Sequence, residues 1–375
     1  MKLSKVSRVT QRAVIMFFAL AFVYYLIILL ILPVGKGALK ALIPNRNPPT
    51  PIYGVLPKLE FVAKNIVNTS PIYKLDTKNG KLPTHIPEKM TVYRFKPENF
   101  SYQAGKNAKT AANFLGFTDL NLITDLKGNV YKWQNPVSRG LLEIAIDSRN
   151  LTLATPLLTA SSKFPKGHLT EISVKTASNK LFNAISGLDK SSYQEGTQKI
   201  YYGKFSNENI VSTETAYDSQ LARIDYFRSI GEYPIVTQEF TKGMLHAVVN
   251  PETIEKYYKY PMVDAYLKEI ETQSNASYPI ITVEDAWSYV NQNKGVVVDV
   301  TPKGASMFAT HKTTNVDKIF IKNIYLAYYE TPDEKKYLQP IYVFEGNYTS
   351  QGSNGGSIVI YYPAITGKYI QTSSI

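Results

Sequence analysis

The chain contains no cysteine, only two tryptophans and only four histidines. Without cysteine there can be no disulfide framework, no Cys-ligated zinc and no thiol nucleophile. His85, His168, His246 and His311 are widely separated, and none falls in H-E-x-x-H or a comparable ligand spacing. No metal centre and no cofactor are therefore expected. There is no G-x-S-x-G and no Ser-x-x-Lys, the commonest settings for a serine nucleophile. "GSNGGS" at 352–357 lacks the lysine and following helix of a phosphate loop and reads as a hairpin loop. Acidic residues are missing from the first fifty positions, which hold seven Lys/Arg. Taking those seven from the chain's 42 leaves 35 basic against 30 acidic residues, so the formal +12 shrinks to +5 beyond residue 50. The basicity is concentrated near the amino terminus, with no basic stripe elsewhere, and nucleic acid is not an expected partner.

Among what is present, residues 13–35 stand out as a run without charge. As a helix they would be roughly 34 Å long at about 1.5 Å per residue, enough for a ~30 Å hydrocarbon layer. A core helix would show a polar face, and a signal peptide would have a shorter apolar stretch and a clear small-x-small cleavage site. A single transmembrane helix is expected. Lys2, Lys5, Arg8 and Arg12 precede it and Lys36, Lys40 and Arg46 follow. The short head and long tail agree with that slight bias in placing the amino terminus in the cytoplasm and the body outside. The basic flanks would meet anionic lipid at about 1 kcal/mol per charge.

The expected plan is a cytoplasmic head at 1–12, the span at 13–35 and a Pro-rich stalk at 36–57. Three α+β domains follow, at 58–160, 161–275 and 276–375. With 44% hydrophobic and 19% charged residues the body reads as globular. The pattern predicts a helix over 107–119 stopped by Gly116, then strands at 128–135 and 140–155. In the middle region "VKTASNKLFNAIS" reads as helix and "QKIYYGKF", "LARIDYFRSI", "YPIVTQEF" and "MLHAVVN" as strands. Residues 251–271 read as helical at both ends, interrupted before Pro261.

The last hundred residues are the most legible. Thr282 is a candidate N-cap with Asp285 three residues on, and Ala286, Trp287 and Val290 form the apolar stripe. Three strands follow, "KIFIKNIYLAYYE", "YLQPIYVFEGNY" and "GSIVIYYPAI". Strict alternation in the first puts Ile319, Ile321, Tyr325 and Tyr329 on one face, with Phe320, Ile324, Leu326 and Tyr328 on the other. In the second, Leu338, Tyr342 and Phe344 oppose Ile341 and Val343. Both faces are apolar and both need cover. The helix can take one; a neighbouring domain, a second copy in a homodimer or a ligand must take the other. Tyr325, Tyr329, Tyr342 and Glu345 are the candidate binding surface. Tyrosine suits half-polar burial, and Glu345 is the one acid set among aromatic strand residues.

The order of helix, strand "IYLAYYE", charged turn, strand "LQPIYVFEG" and terminal strand ending "YYPAITGKYI" resembles a PepSY-like module. It is more specifically similar to the extracytoplasmic regulators YycH and YycI of Gram-positive bacteria. "ARIDYFRSIGEYPIVTQEFTKGMLHAVVN" and "YPIITVEDAWSYV" also resemble segments of that family. The resemblance implies one amino-terminal span followed by consecutive helix-plus-antiparallel-sheet domains in the cell envelope. It further implies a noncatalytic regulatory protein that contacts a membrane partner such as a sensor kinase. No family site residue carries over onto a position here. A wall or glycan binder and an envelope hydrolase are the rival expectations; a pocket joining Glu345 to a second acid would favour the latter.

Overall fold

The computed structural model describes residues 16–18, 20–25 and, from 48 onward, all except 65, 67–69, 98–100, 166, 168, 187–192, 194, 267, 275, 310–313, 334, 352 and 373–375. The expected head at 1–12, residues 36–47 of the expected stalk, His168 and His311 lie outside the described residues. Within the expected span, residues 16–18 and 20–25 are helical and the rest of 13–35 is outside. No helix among the described residues is long and apolar enough to cross a membrane. Met1–Pro49 and Thr50–Ile375 are separate compact units, and the second carries the sheets.

The stalk expected to reach residue 57 does not extend that far. Leu56 is fully buried, its amide bonds to Tyr369 O at 2.8 Å, and Gln371 N bonds back to Leu56 O at 2.8 Å. Prolines lack a backbone donor, but the residues between them supply the pairing that draws this segment into the fold.

From there the chain makes short strands β1 (Ile72–Leu75), β2 (Lys89–Thr91) and β3 (Tyr93–Phe95), then helix α1 (Ala104–Phe114). Strands β4 (Leu122–Lys127), β5 (Val130–Gln134), β6 (Leu141–Ala145) and β7 (Leu151–Ala154) precede helix α2 (Glu171–Ser186). Next come β8 (Thr197–Ser206), β9 (Asn209–Thr213), β10 (Leu221–Phe227), β11 (Ser229–Ile230), β12 (Tyr233–Thr237) and β13 (Leu245–Val249). The last part holds β14 (Met262–Ala265), β15 (Ile270–Glu271), β16 (Ser277–Pro279), helix α3 (Val283–Asn291) and β17 (Val296–Pro302). It ends with three long strands, β18 (Lys318–Glu330), β19 (Tyr337–Ser350) and β20 (Ser353–Pro363).

The result is a mixed α+β fold dominated by sheet. One sheet of nine strands runs β4-β5-β6-β7-β14-β13-β10-β8-β9, antiparallel throughout. Helices α1 and α2 cover one of its faces, which carries Leu142, Leu153, Val263, Ala247 and Ile224. Alanine fills the buried stripe of α1 (Ala104, Ala108, Ala111, Ala112), combining high helix propensity with a small cross-section. The helix starts earlier than the pattern indicates and ends at Phe114, because Gly116 takes φ +89° and its amide turns back to Asn113 O. The second sheet is a curled half-barrel along β11-β12-β18-β19-β20-β17, with β1 and β3 pairing to β18 and β19. α3 packs on one of its faces through Val283, Ala286 and Val290.

Three differences from expectation have physical causes. Residues 251–271 form one helical turn, Lys256–Lys259, and two strands instead of two helices. The alternation in "MVDA" buries Val263 and Ala265 and lets β14 pair with both β7 and β13. Segments expected as consecutive domains share sheets: β4–β7 and β8–β10 lie in one, and β1, β3, β11 and β12 join β17–β20 in the other. Finally, a β-bulge between Ile321 and Asn323 shifts β18 by one residue against β19. Ile319 and Ile321 therefore share the α3 face with Ile324, Leu326 and Tyr328, while Ala327 and Tyr329 pack on the opposite face. An extra residue reverses side-chain parity beyond it.

The sheets are tied together by Arg228 and Glu330, a fully buried ion pair. Arg228 sits between β10 of the first sheet and β11 of the second, and Glu330 ends β18.

Candidate functional site

The tyrosines expected to form a binding surface divide three ways. Tyr342 lies in the core beneath α3, and its hydroxyl donates to Ile281 O at 2.7 Å. Tyr329 lies on the other face among Phe61 and Tyr361, with ring centroids at 4.8 and 5.8 Å, and donates to Glu60 O at 3.2 Å. Tyr325 is half-buried and donates to Glu345 Oε1 at 2.5 Å. Burial pushes all three phenols above their usual range, and for Tyr325 the Glu345 carboxylate adds to it. They act as neutral donors. The four residues are thus not one surface: the fold brings Tyr325 to Glu345 and places Tyr329 and Tyr342 in separate cores.

The second apolar face of the half-barrel is covered by the chain itself. Leu59, Phe61 and Phe240 pack over Tyr329, Val343, Val359 and Tyr361. This cover stops at Phe240. Beyond it the same face turns polar and open, in rows set by strand register. Asn323, Glu345, Val359 and Asp299 line up across β18, β19, β20 and β17. The next row is Phe320, Asn347, Ser357 and Thr301. A cavity of about 260 Å³ lies over the first row, lined by Phe240, Asp299, Lys322, Glu345, Asn347 and Ser357. An adjoining groove of about 690 Å³ shares Lys322, Asn347 and Ser357 and extends to Phe320, Thr301 and Lys303. Asp299 accepts from Thr301 Oγ1 at 2.9 Å. With its amide turned so that oxygen faces Lys322, Asn347 accepts from Nζ at 3.0 Å.

Of the residues singled out from the sequence, Glu345 lines this cavity and Tyr325 bonds to it; Asp299, Lys322, Asn347 and Ser357 were not singled out. The signal for Asp299 was available: it is the single acid inside "VVVDV", a run that forms β17, a strand the pattern reading left out.

A second polar row crosses the face of the nine-stranded sheet opposite the two helices. Asp225, His246 and Asp264 are register partners on β10, β13 and β14. His246 Nε2 is 2.9 Å from Asp264 Oδ2, and Nδ1 is 3.1 Å from Gly243 O. Asp225, fully buried, meets Arg223 Nε at 2.9 Å and Gly243 N at 3.0 Å. Burial works to raise the Asp264 carboxyl, but His246 and Lys242 together hold it down at about 2. This row is packed and its charges are paired at close range, the condition under which buried charge is tolerated. Among the described residues no cluster of three or more histidines and carboxylates is placed to hold a metal ion.

The outer edge of the same sheet differs. Among the described residues, strand β4 pairs only with β5, through a register broken twice. It presents Ile123 at 55% and Leu126 at 44% exposure, and Leu120 stands almost fully exposed just before it.

No protein-family model and no curated protein matches the chain. Among solved structures it is similar to an uncharacterized protein from Eubacterium rectale, at 13% identity and a TM-score of 0.43. That similarity covers 80% of this chain and 91% of the other.

Proposed function

We propose that the chain is a noncatalytic interaction protein of the cell envelope, with an envelope hydrolase as the second reading because Glu345 and Asp299 line one pocket. Residues 13–35 anchor it to the membrane, the body lies outside, and the exposed edge of β4 docks a protein partner. The observation that supports docking is the state of that edge. Sheet edges are ordinarily blunted by charge, proline, a bulge or a covering segment; β4 carries Asp125, Lys127 and two register breaks, yet its outer edge still sets two exposed aliphatic side chains, Ile123 and Leu126, beside the backbone. Such an edge suits an extended segment of another protein, which would add a strand and bring apolar side chains beside Ile123 and Leu126. In this reading α3 with β18, β19 and β20 is a PepSY-like module, and the chain belongs with regulators of the YycH and YycI kind. The basic flanks of the anchor would rest on anionic lipid.

The test is copurification in mild detergent of the full chain and of its Ile123→Lys/Leu126→Lys variant. A defined membrane protein recovered with the first and reduced at least about tenfold with the second, a loss of roughly 1.4 kcal/mol or more, supports the reading. Equal recovery with both, or no copurifying protein, refutes it.

A further inference from the structure

The open half of the half-barrel face has no part in docking at β4, which belongs to the other sheet. Its chemistry is specific. Glu345 and Asp299 offer carboxylate acceptors, Asn347 an amide, Thr301 and Ser357 hydroxyls, and Lys322 an ammonium group. These project from neighbouring strands about 4.8 Å apart and at intervals of about 7 Å along each strand, a flat grid of mixed donors and acceptors. Phe240 and Phe320 border the grid with aromatic surface. Donors and acceptors are interleaved and the charges nearly balance, so the surface selects neither a strong anion nor a strong cation. The backbone beneath is committed to the strand ladders, so a peptide laid on this face would find no main-chain partners of the kind a sheet edge provides.

We infer that this groove binds a short oligosaccharide. Sugar hydroxyls both donate and accept, and the ring's C–H face suits an aromatic border. Glu345, oriented by the Tyr325 hydroxyl, and Asp299, oriented by Thr301, accept from hydroxyls; Lys322 and Asn347 donate to ring and hydroxyl oxygens. The tyrosines of the expected binding surface are not the platform: the rings of Tyr329 and Tyr342 lie in the two cores, and Tyr325 is held to Glu345.

The experiment is calorimetric titration of the detergent-solubilised full chain with the N-acetylglucosamine tetramer, with cellotetraose and with tetraalanine. A second arm uses purified cell-wall polysaccharide, to separate a soluble from a polymeric source. Expected is saccharide binding with Kd in the range of about 0.1–1 mM, weakened at least tenfold in Asn347→Ala and in Lys322→Ala. Both side chains are exposed, and the melting temperature of each variant should match the parent. Binding of wall polymer alone, with the same loss in both variants, also supports the inference and names the source. It is overturned if no saccharide binds with Kd tighter than about 10 mM, if the variants bind unchanged, or if tetraalanine binds and the saccharides do not. The β4 variant should bind saccharide normally, so failure of the docking reading and failure of this one are separable.

Discussion

Replacing Glu330 by glutamine probes how the two sheets are held together. The carboxylate and the Arg228 guanidinium are 1% and 2% exposed. Arg228 Nη1 also donates to Lys268 O at 2.7 Å, and Lys268 Nζ reaches Thr331 O at 3.3 Å. Glu330 is therefore the carboxylate that compensates Arg228 at the crossing between sheets, while Lys268 is held by backbone oxygen. Glutamine preserves volume but removes the charge, which leaves the guanidinium uncompensated in a place water does not reach. Loss of one partner from a buried pair costs about 3–5 kcal/mol. At roughly 2–4 °C per kcal/mol for a large domain, the melting temperature should fall on the order of 10 °C. Thermal melts followed by circular dichroism on the detergent-solubilised chain read this directly. The double change Arg228→Met/Glu330→Leu removes both charges and should cost less than the single one, since buried pairs are often replaceable by apolar groups. A Glu330→Gln protein that melts with the parent, or a double variant less stable than the single, would refute the reasoning.

Two further outcomes follow from the same geometry. Tyr342→Phe removes the 2.7 Å bond to Ile281 O and keeps the ring, so denaturant unfolding should show a loss of about 0.5–1.5 kcal/mol; an unchanged midpoint would mean the hydroxyl is not committed to the core. Asp264 titrates at about 2 in the folded protein against about 3.9 when unfolded, so the ion contributes stability above the unfolded value that is lost as pH falls through the folded one. Stability should drop by roughly 2 kcal/mol between pH 5 and pH 2, with the remainder lost below that, and Asp264→Asn should flatten that stretch of the profile.

Much of the fold was legible because strand alternation and helix capping are local. Thr282 accepts from Asp285 N at 3.1 Å as its spacing implied, and Leu338, Tyr342 and Phe344 share a face opposite Ile341 and Val343. What escaped depends on contacts distant in sequence. The bulge after Ile321 is a property of the β18–β19 pairing, so strict alternation assigned Tyr325 and Tyr329 to the side of Ile319 and Ile321. "MVDA" is too short to announce a strand, and it becomes one because β7 and β13 lie on either side. The site follows the same division. Glu345 was conspicuous among aromatics, but Asp299 joins it only through a shared partner, Val359, and that register has no local signature.

The most direct test of the docking reading is site-specific photo-crosslinking in intact cells. A crosslinking residue at Ile123 should capture one envelope protein, while the same residue at Ile172, exposed on α2, should capture none. Crosslinks of equal yield from both positions, or none from Ile123, would contradict a partner seated on the β4 edge.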